Sequence, residues 1–277
     1  MQHRETEFIG QEGVPIRVQS WLPDVPARAT LVVAHGLGEH GGRYAGLVSR
    51  CLTRGIAVYA PDHRGHGRSG GSRGQIGRFA WVVADLDAVM RQAKEEQPGV
   101  RRFLLGHSMG GAVALTWALD RPGLVDGLIL SAAAIAPPSA VPALTVAAVR
   151  LLSRVWPGRG AIGLSPADLS RDPAVVRAYE EDPLVLHGPV PARTLAELFD
   201  AMQSLPQRAP MLREPVLALH GTADRLVMHH DVRPALESLG SADRTIKVYR
   251  GLYHEVMNEP ERETVFADLE AWLEART

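Results

Sequence analysis

Apolar and polar positions along this chain change period in a regular way. EFIGQEGVPIRVQSWLP (7–23) reads as a β-hairpin with Gly10 to Gly13 at its turn. Short apolar, strand-like runs follow: LVVAH (31–35), IAVYAPD (56–62), RRFLLGH (101–107) and VDGLILSAA (125–133). Between them lie longer stretches with helical spacing, RYAGLVSRCLTR (43–54), RFAWVVADLDAVMRQAKEEQ (78–97) and SMGGAVALTWALDRP (108–122). Such alternation predicts a mainly parallel sheet flanked by helices.

From about Ala136 the rhythm breaks. Residues 136–210 hold several helical segments punctuated by proline and no convincing strand. Strand–helix order resumes with PVLALHGTAD (215–224), then TIKVYRG (245–251) and a terminal helix, ERETVFADLEAWLEAR (261–276). The expectation is one α/β core, residues 1–135 and 211–277, interrupted by a helical cap over residues 136–210. Insertions at this level commonly cover a site at the C-terminal ends of the strands.

Composition removes several classes. The 277 residues carry a formal net charge of −1, which gives no general attraction to nucleic acid or to anionic membrane. No apolar run reaches the roughly 18 residues of a spanning helix, and the polar start MQHRETEFIG lacks the apolar segment of a secretory signal. Cys51 is the only cysteine, so no internal disulfide forms, and a cytoplasmic location is expected. Its place in the apolar stripe of 43–54 predicts a buried, inert thiol. With 11 histidines a metal site has to be weighed, yet no H-E-x-x-H occurs and one cysteine supplies no thiolate cluster. The best grouping, His229, His230 and Asp231, diverges along a helix.

Two glycine-rich segments bear on chemistry. GLGEHG (36–41) fits G-x-G-x-x-G between a strand and a helix, and Asp62 ends the next strand where a ribose-binding acid belongs. A nucleotide-binding oxidoreductase is therefore one reading. It is a poor cradle, because Glu39 puts a carboxylate beside the pyrophosphate and a hairpin precedes the first strand. Asp62 also has a local use, tying its own loop DHRGHGRS (62–69) through Arg64 or Arg68.

GHSMGG (106–111) is the stronger signal. It holds G-x-S-x-G directly after an apolar strand and directly before an Ala-rich helix. A sharp strand-to-helix turn lifts Ser108 above the sheet edge, Gly106 and Gly110 relieve the crossing, and the helix N-terminus faces developing negative charge. A serine hydroxyl needs a base and an orienting acid, in the chain order serine, acid, histidine. Asp224 follows the strand in VLALHGTAD, and His254 follows IKVYR in GLYHE. Rivals fit less well. Asp231 sits where it would cap a helix, with His229 and His230 in the same context. Glu255 adjoins the base but points elsewhere. His107 fills the elbow's variable position, His220 suits a structural hydrogen bond, and His63 and His66 come too early in the chain. Two backbone donors complete the chemistry: Met109 N–H after the nucleophile and Leu37 N–H in the HG-x-x loop.

Together these residues resemble the monoacylglycerol lipase family of α/β-hydrolases, related to lysophospholipases. The resemblance rests on HGLGEHGGRYAGL (35–47), APDHRGHGRSGG (60–71), GHSMGG (106–111), HGTAD (220–224) and YHE (253–255), with LSRDPAVVRAYEEDPLV (169–185) similar to this family's cap. It implies an α/β-hydrolase fold and a triad of Ser108, Asp224 and His254. It further implies an oxyanion hole of Leu37 and Met109 amides, with Glu39 and Arg43 near the glycerol end of the pocket. A loop-stabilising ion pair is the other reading of those last two. The implied reaction cleaves a monoacylglycerol to fatty acid and glycerol without metal or organic cofactor. A broader carboxylesterase or lysophospholipase on the same triad is the alternative. The apolar stretch VPALTVAAVRLLSRVW (141–156), with Arg150 and Arg154 on one face, can line an acyl tunnel, touch a lipid surface transiently, or simply pack.

Overall fold

A computed structural model describes residues 1–277. Its first two strands, β1 (Gln2–Ile9) and β2 (Pro15–Leu22), form the expected hairpin, which begins five residues earlier than the alternation suggested. The outer strand QHRETEFI is exposed almost throughout, and its charges blunt an edge that would otherwise template further pairing. The chain continues through β3 (Ala29–Ala34), α1 (Ala45–Thr53), β4 (Ile56–Pro61) and α2 (Phe79–Glu96). Then come β5 (Arg101–His107), α3 (Met109–Asp120) and β6 (Gly127–Ser131). One sheet of eight strands runs in the order β1, β2, β4, β3, β5, β6, β9 (Val216–Gly221), β10 (Arg244–Tyr249). From β4 to β10 every pairing is parallel.

The core lies on both faces of that sheet. One face packs α2 and α3; the other packs α1 and the terminal helix α8 (Arg262–Glu274). Helix α3 is apolar on nearly every side because it is buried on nearly every side, down to Trp117 at its far end. Full burial of such a side chain contributes about 1.5–3 kcal/mol. Cys51 is buried in α1, and burial pushes its thiol up to about 12. No helix is long and apolar enough to cross a membrane.

Between β6 and β9 the chain leaves the sheet. This insertion carries α4 (Ala143–Val155), α5 (Pro173–Glu180) and α6 (Ala192–Arg208). It also contains a two-stranded pair, β7 (Gly160–Ile162) with β8 (Val190–Pro191), where no strand was expected. Runs of three and two residues are too short to carry a period. Helix α7 (His229–Ser238) follows β9, with Asp231 in its first turn. Asp231 does not cap that helix; its carboxylate accepts the Ser139 amide of the insertion at 2.9 Å.

Candidate active site

Strands β3, β5 and β9 all end at one edge of the sheet, and the site is assembled there. Between β5 and α3 the chain reverses within a single residue. Ser108 takes φ 53°, ψ −119°, a left-handed conformation that costs a non-glycine residue about 1–3 kcal/mol. The crossing tolerates no side chain on either flank. A Cβ on Gly110 would lie 2.0 Å from the Ala34 carbonyl, and one on Gly106 2.3 Å from that of Gly110. Ser108 itself is half-buried and faces a cavity of about 290 Å³ that His254 also lines.

His254 and Asp224 come from the loops after β10 and β9. The His254 Nδ1–H donates to Asp224 Oδ2 at 2.8 Å, which leaves Nε2 as the free lone pair. Asp224 is held in turn: its Oδ1 accepts the Leu226 and Val227 amides, each at 2.9 Å. His220 Nε2 donates to the Val227 carbonyl at 2.8 Å and lies 3.3 Å from Asp224 Oδ2, the structural role its position suggested. Burial opposes ionisation of both partners, yet their mutual attraction outweighs it. The His254 pKa is raised and the Asp224 pKa is held below the usual carboxylate range. The imidazole's only protein hydrogen bond is the one to Asp224. Contacts between nucleophile and base commonly tighten only around substrate.

Leu37 lines the same cavity, and its N–H meets no acceptor within the protein. Met109 has a fully buried side chain, and its backbone amide is the first of α3, unpaired within the helix. Glu39 and Arg43 line the cavity too, and they are tied together as well. Glu39 Oε1 accepts the Gly36 amide at 2.5 Å and the Tyr44 hydroxyl at 2.8 Å, while Oε2 accepts Arg43 Nη1 at 2.9 Å. Glu255, set aside in the sequence as pointing elsewhere, is the residue that completes this cluster. It takes Arg43 in a two-pronged ion pair at 2.5 and 2.9 Å, although 212 residues separate them. The one available signal was its place beside His254. Burial disfavours charge on both groups; the pairing wins, so Arg43 is held above and Glu255 below its ordinary range. His107 packs against the His254 ring with centroids 4.8 Å apart, and burial followed by His254 lowers its pKa.

Two kinds of side chain line this cavity. Glu39, Arg43 and Glu255 form a charged cluster that also lines a second cavity of about 430 Å³. Leu195, Leu198, Phe199 and Met202 of α6 give it an aliphatic wall. Nothing here suits a dinucleotide. Asp62 is buried and engaged by backbone amides, Gly41 at 2.9 Å and Arg68 at 2.8 Å. Neither arginine side chain ties it as expected. Arg64 pairs with Asp85 at 2.7 Å and Arg68 reaches Glu5 at 2.9 Å. A backbone amide reaches a short carboxylate without ordering a long side chain.

This fold, with a serine on a strained strand–helix turn, defines an α/β-hydrolase of the serine type. A family model described as "Serine aminopeptidase, S33" matches residues 25–261. A Mycolicibacterium smegmatis monoacylglycerol lipase is 40% identical over 269 residues, 97% of this chain and 96% of that protein. The Homo sapiens monoglyceride lipase is 34% identical over 276 residues, 98% of this chain and 90% of its own. Among solved structures, a Paleococcus ferrophilus monoacylglycerol lipase superposes with a TM-score of 0.85 at 34% identity, covering 94% of this chain and 99% of the other. The chain belongs to the monoacylglycerol lipase family of serine hydrolases.

Proposed function

We propose that this protein hydrolyses monoacylglycerols to fatty acid and glycerol through an acyl-enzyme on Ser108. The observation that carries this reading is the lining of one cavity: the charged cluster of Glu39, Arg43 and Glu255, an aliphatic wall from α6, and Ser108 facing the same space. A molecule with a small polyhydroxyl head and one apolar chain matches it. Residues 136–210 act as the cap, with α6 as the acyl wall.

Ser108 Oγ attacks the ester carbonyl carbon as its proton passes to His254 Nε2. Asp224 keeps the other ring nitrogen protonated and stabilises the imidazolium. The carbonyl oxygen, now an anion, rests on the Leu37 and Met109 amides, each donor worth about 10²–10³ in turnover. The carbon–oxygen bond to glycerol breaks, and glycerol takes the proton from His254. Water then attacks the Ser108 ester with the same base, and the fatty acid leaves as Ser108 regains its proton. No metal or organic cofactor enters any step.

The family description names an aminopeptidase, whose amide cleavage would use the same steps. Arg43 lies between Glu39 and Glu255, so the carboxylates that would hold a peptide's amino terminus are already engaged. That favours the neutral ester. On the cap's outer side, Leu144, Leu151 and Val155 form an exposed apolar stripe with Trp156 beyond it. This stripe is the surface for transient contact with lipid.

The test compares wild type with Ser108→Ala on a monoacylglycerol, a diacylglycerol, a lysophospholipid, short aryl esters and an aminoacyl amide. Monoacylglycerol should turn over fastest, and the variant should lose at least about 10³-fold. Faster cleavage of the lysophospholipid or aryl ester would replace the substrate, and an active Ser108→Ala would remove the mechanism.

A further inference from the structure

Behind the oxyanion loop lies a buried imidazole that the reaction above does not use. His35 ends just past β3 and is fully buried. Its Nδ1 lies 2.7 Å from the Gly36 carbonyl oxygen, which can only accept, so Nδ1 carries the proton. Its Nε2 receives the His63 amide at 2.8 Å, so Nε2 is bare. Two opposite demands fix one tautomer. The Gly36 carbonyl belongs to the peptide unit whose N–H is that of Leu37. The other side of Gly36 is fixed as well, through its amide on Glu39 Oε1 at 2.5 Å.

We propose that His35 is a positioning residue for the reaction: through the Gly36 carbonyl it sets the plane and polarity of the peptide whose Leu37 N–H meets the oxyanion. This inference rests on the reading that Ser108 forms an acyl-enzyme stabilised at Leu37. A hydrogen bond at a peptide oxygen draws electrons along the amide and makes its N–H a better donor. It also stops the peptide from flipping, and a preorganised donor needs no rearrangement as charge develops. The surroundings keep the ring in its working form. Burial first, then the neighbouring His63 and His66, hold its pKa well below the ordinary histidine value. The His63 and His66 rings stand 4.2 and 5.4 Å from it, centroid to centroid. These three rings are not arranged to hold a metal ion.

Two substitutions separate the two nitrogens. In His35→Asn the side-chain amide replaces Nδ1–H and retains the donor to Gly36. In His35→Gln the amide oxygen replaces Nε2, retaining the acceptor for His63 and losing that donor. Both variants shrink the buried side chain and each loses one bond, so similar drops in thermal midpoint are expected. Their kinetics should differ. On a water-soluble ester, His35→Asn should keep kcat within about threefold, while His35→Gln should lose about 10- to 100-fold in kcat with KM little changed. Affinity for a boronic acid, which forms a tetrahedral adduct on serine, should fall in parallel with kcat.

Equal kcat in the two variants, or kcat that follows thermal midpoint, would overturn the proposal. Ser108→Ala runs beside them. If it is inactive while the His35 variants behave alike, this inference alone fails; if it stays active, the acyl-enzyme reading fails first. Should neither His35 variant fold, the ¹⁵N shifts of His35 in the intact wild-type protein decide. A protonated Nδ1 with bare Nε2 supports the assignment, and the opposite tautomer contradicts it.

Discussion

The two halves of the insertion are built on opposite terms. Around α5 it is bonded to the core through polar groups. The Leu169 carbonyl accepts the Glu255 amide at 2.8 Å, Gly38 O accepts the Leu186 amide at 2.8 Å, and His40 Nε2 donates to Asp182 at 2.8 Å. Arg171 adds an ion pair to Glu259 at 2.5 Å. Around α4 the side-chain hydrogen bonds to the core come from one residue, Ser139, to Asp231 and His230. Arg150 pairs with Asp200, which belongs to the insertion itself. One half is thus hydrogen-bonded to the loop that carries Leu37 and to the loop that carries His254. The other half rests on α6 mainly through packing.

That contrast can be broken deliberately. The largest loss is expected at the cluster under the fixed half. Arg43→Met leaves Glu39 and Glu255 buried without their partner, and urea unfolding should show about 3–5 kcal/mol of lost stability. Next comes the tether itself. Asp182→Ala should cost about 1–3 kcal/mol and lower kcat on a soluble ester, because His40 borders the loop that carries Leu37.

Acid should weaken the core loops that follow β3 and β4. His35, His63 and His66 have folded pKa values below the ordinary 6.5, that of His63 at about 3, with burial the first cause in each. The unfolded chain therefore binds more protons below 6.5, and stability falls as pH drops from there toward about 3. Each histidine contributes a slope of at most about 1.4 kcal/mol per pH unit. His254 runs the other way: its raised pKa adds stability below 6.5 that is lost as pH rises through the raised value. Activity needs this ring neutral, so the acid limb of kcat/KM should lie above 6.5.

The smallest effect on stability belongs to the bare half. Leu144→Glu together with Trp156→Glu should change unfolding energy by no more than about 0.5 kcal/mol each. Sedimentation with lipid vesicles should nevertheless fall, while cleavage of a soluble short ester stays unchanged. Unaltered vesicle binding would remove the lipid-contact role of α4.

Much of this was legible in the sequence because it is local. A mainly parallel sheet flanked by helices follows from short apolar runs alternating with helical spacing, and G-x-S-x-G encodes its own sharp turn within five residues. Ser108, Asp224 and His254 follow from chain order and strand ends. What escaped is non-local or depends on the backbone. The ion pair of Arg43 with Glu255 joins residues 212 apart, and no periodicity marks it. The tautomer of His35 depends on a carbonyl and an amide that every sequence contains. Asp62 was matched to arginine side chains by charge, whereas neighbouring backbone amides satisfy it. For 141–156, composition left an acyl tunnel, contact with a lipid surface and simple packing open; in the fold α4 packs one face toward α6 and leaves Leu144, Leu151 and Val155 exposed.

The central claim is a covalent one, and it can be caught directly. Mixing the protein with a monoacylglycerol, quenching in acid within one turnover and mapping peptides by mass should find the acyl chain esterified to Ser108. The adduct should decay at the steady-state rate or faster. Turnover with no adduct on Ser108, or with the acyl group on another residue, would contradict the account.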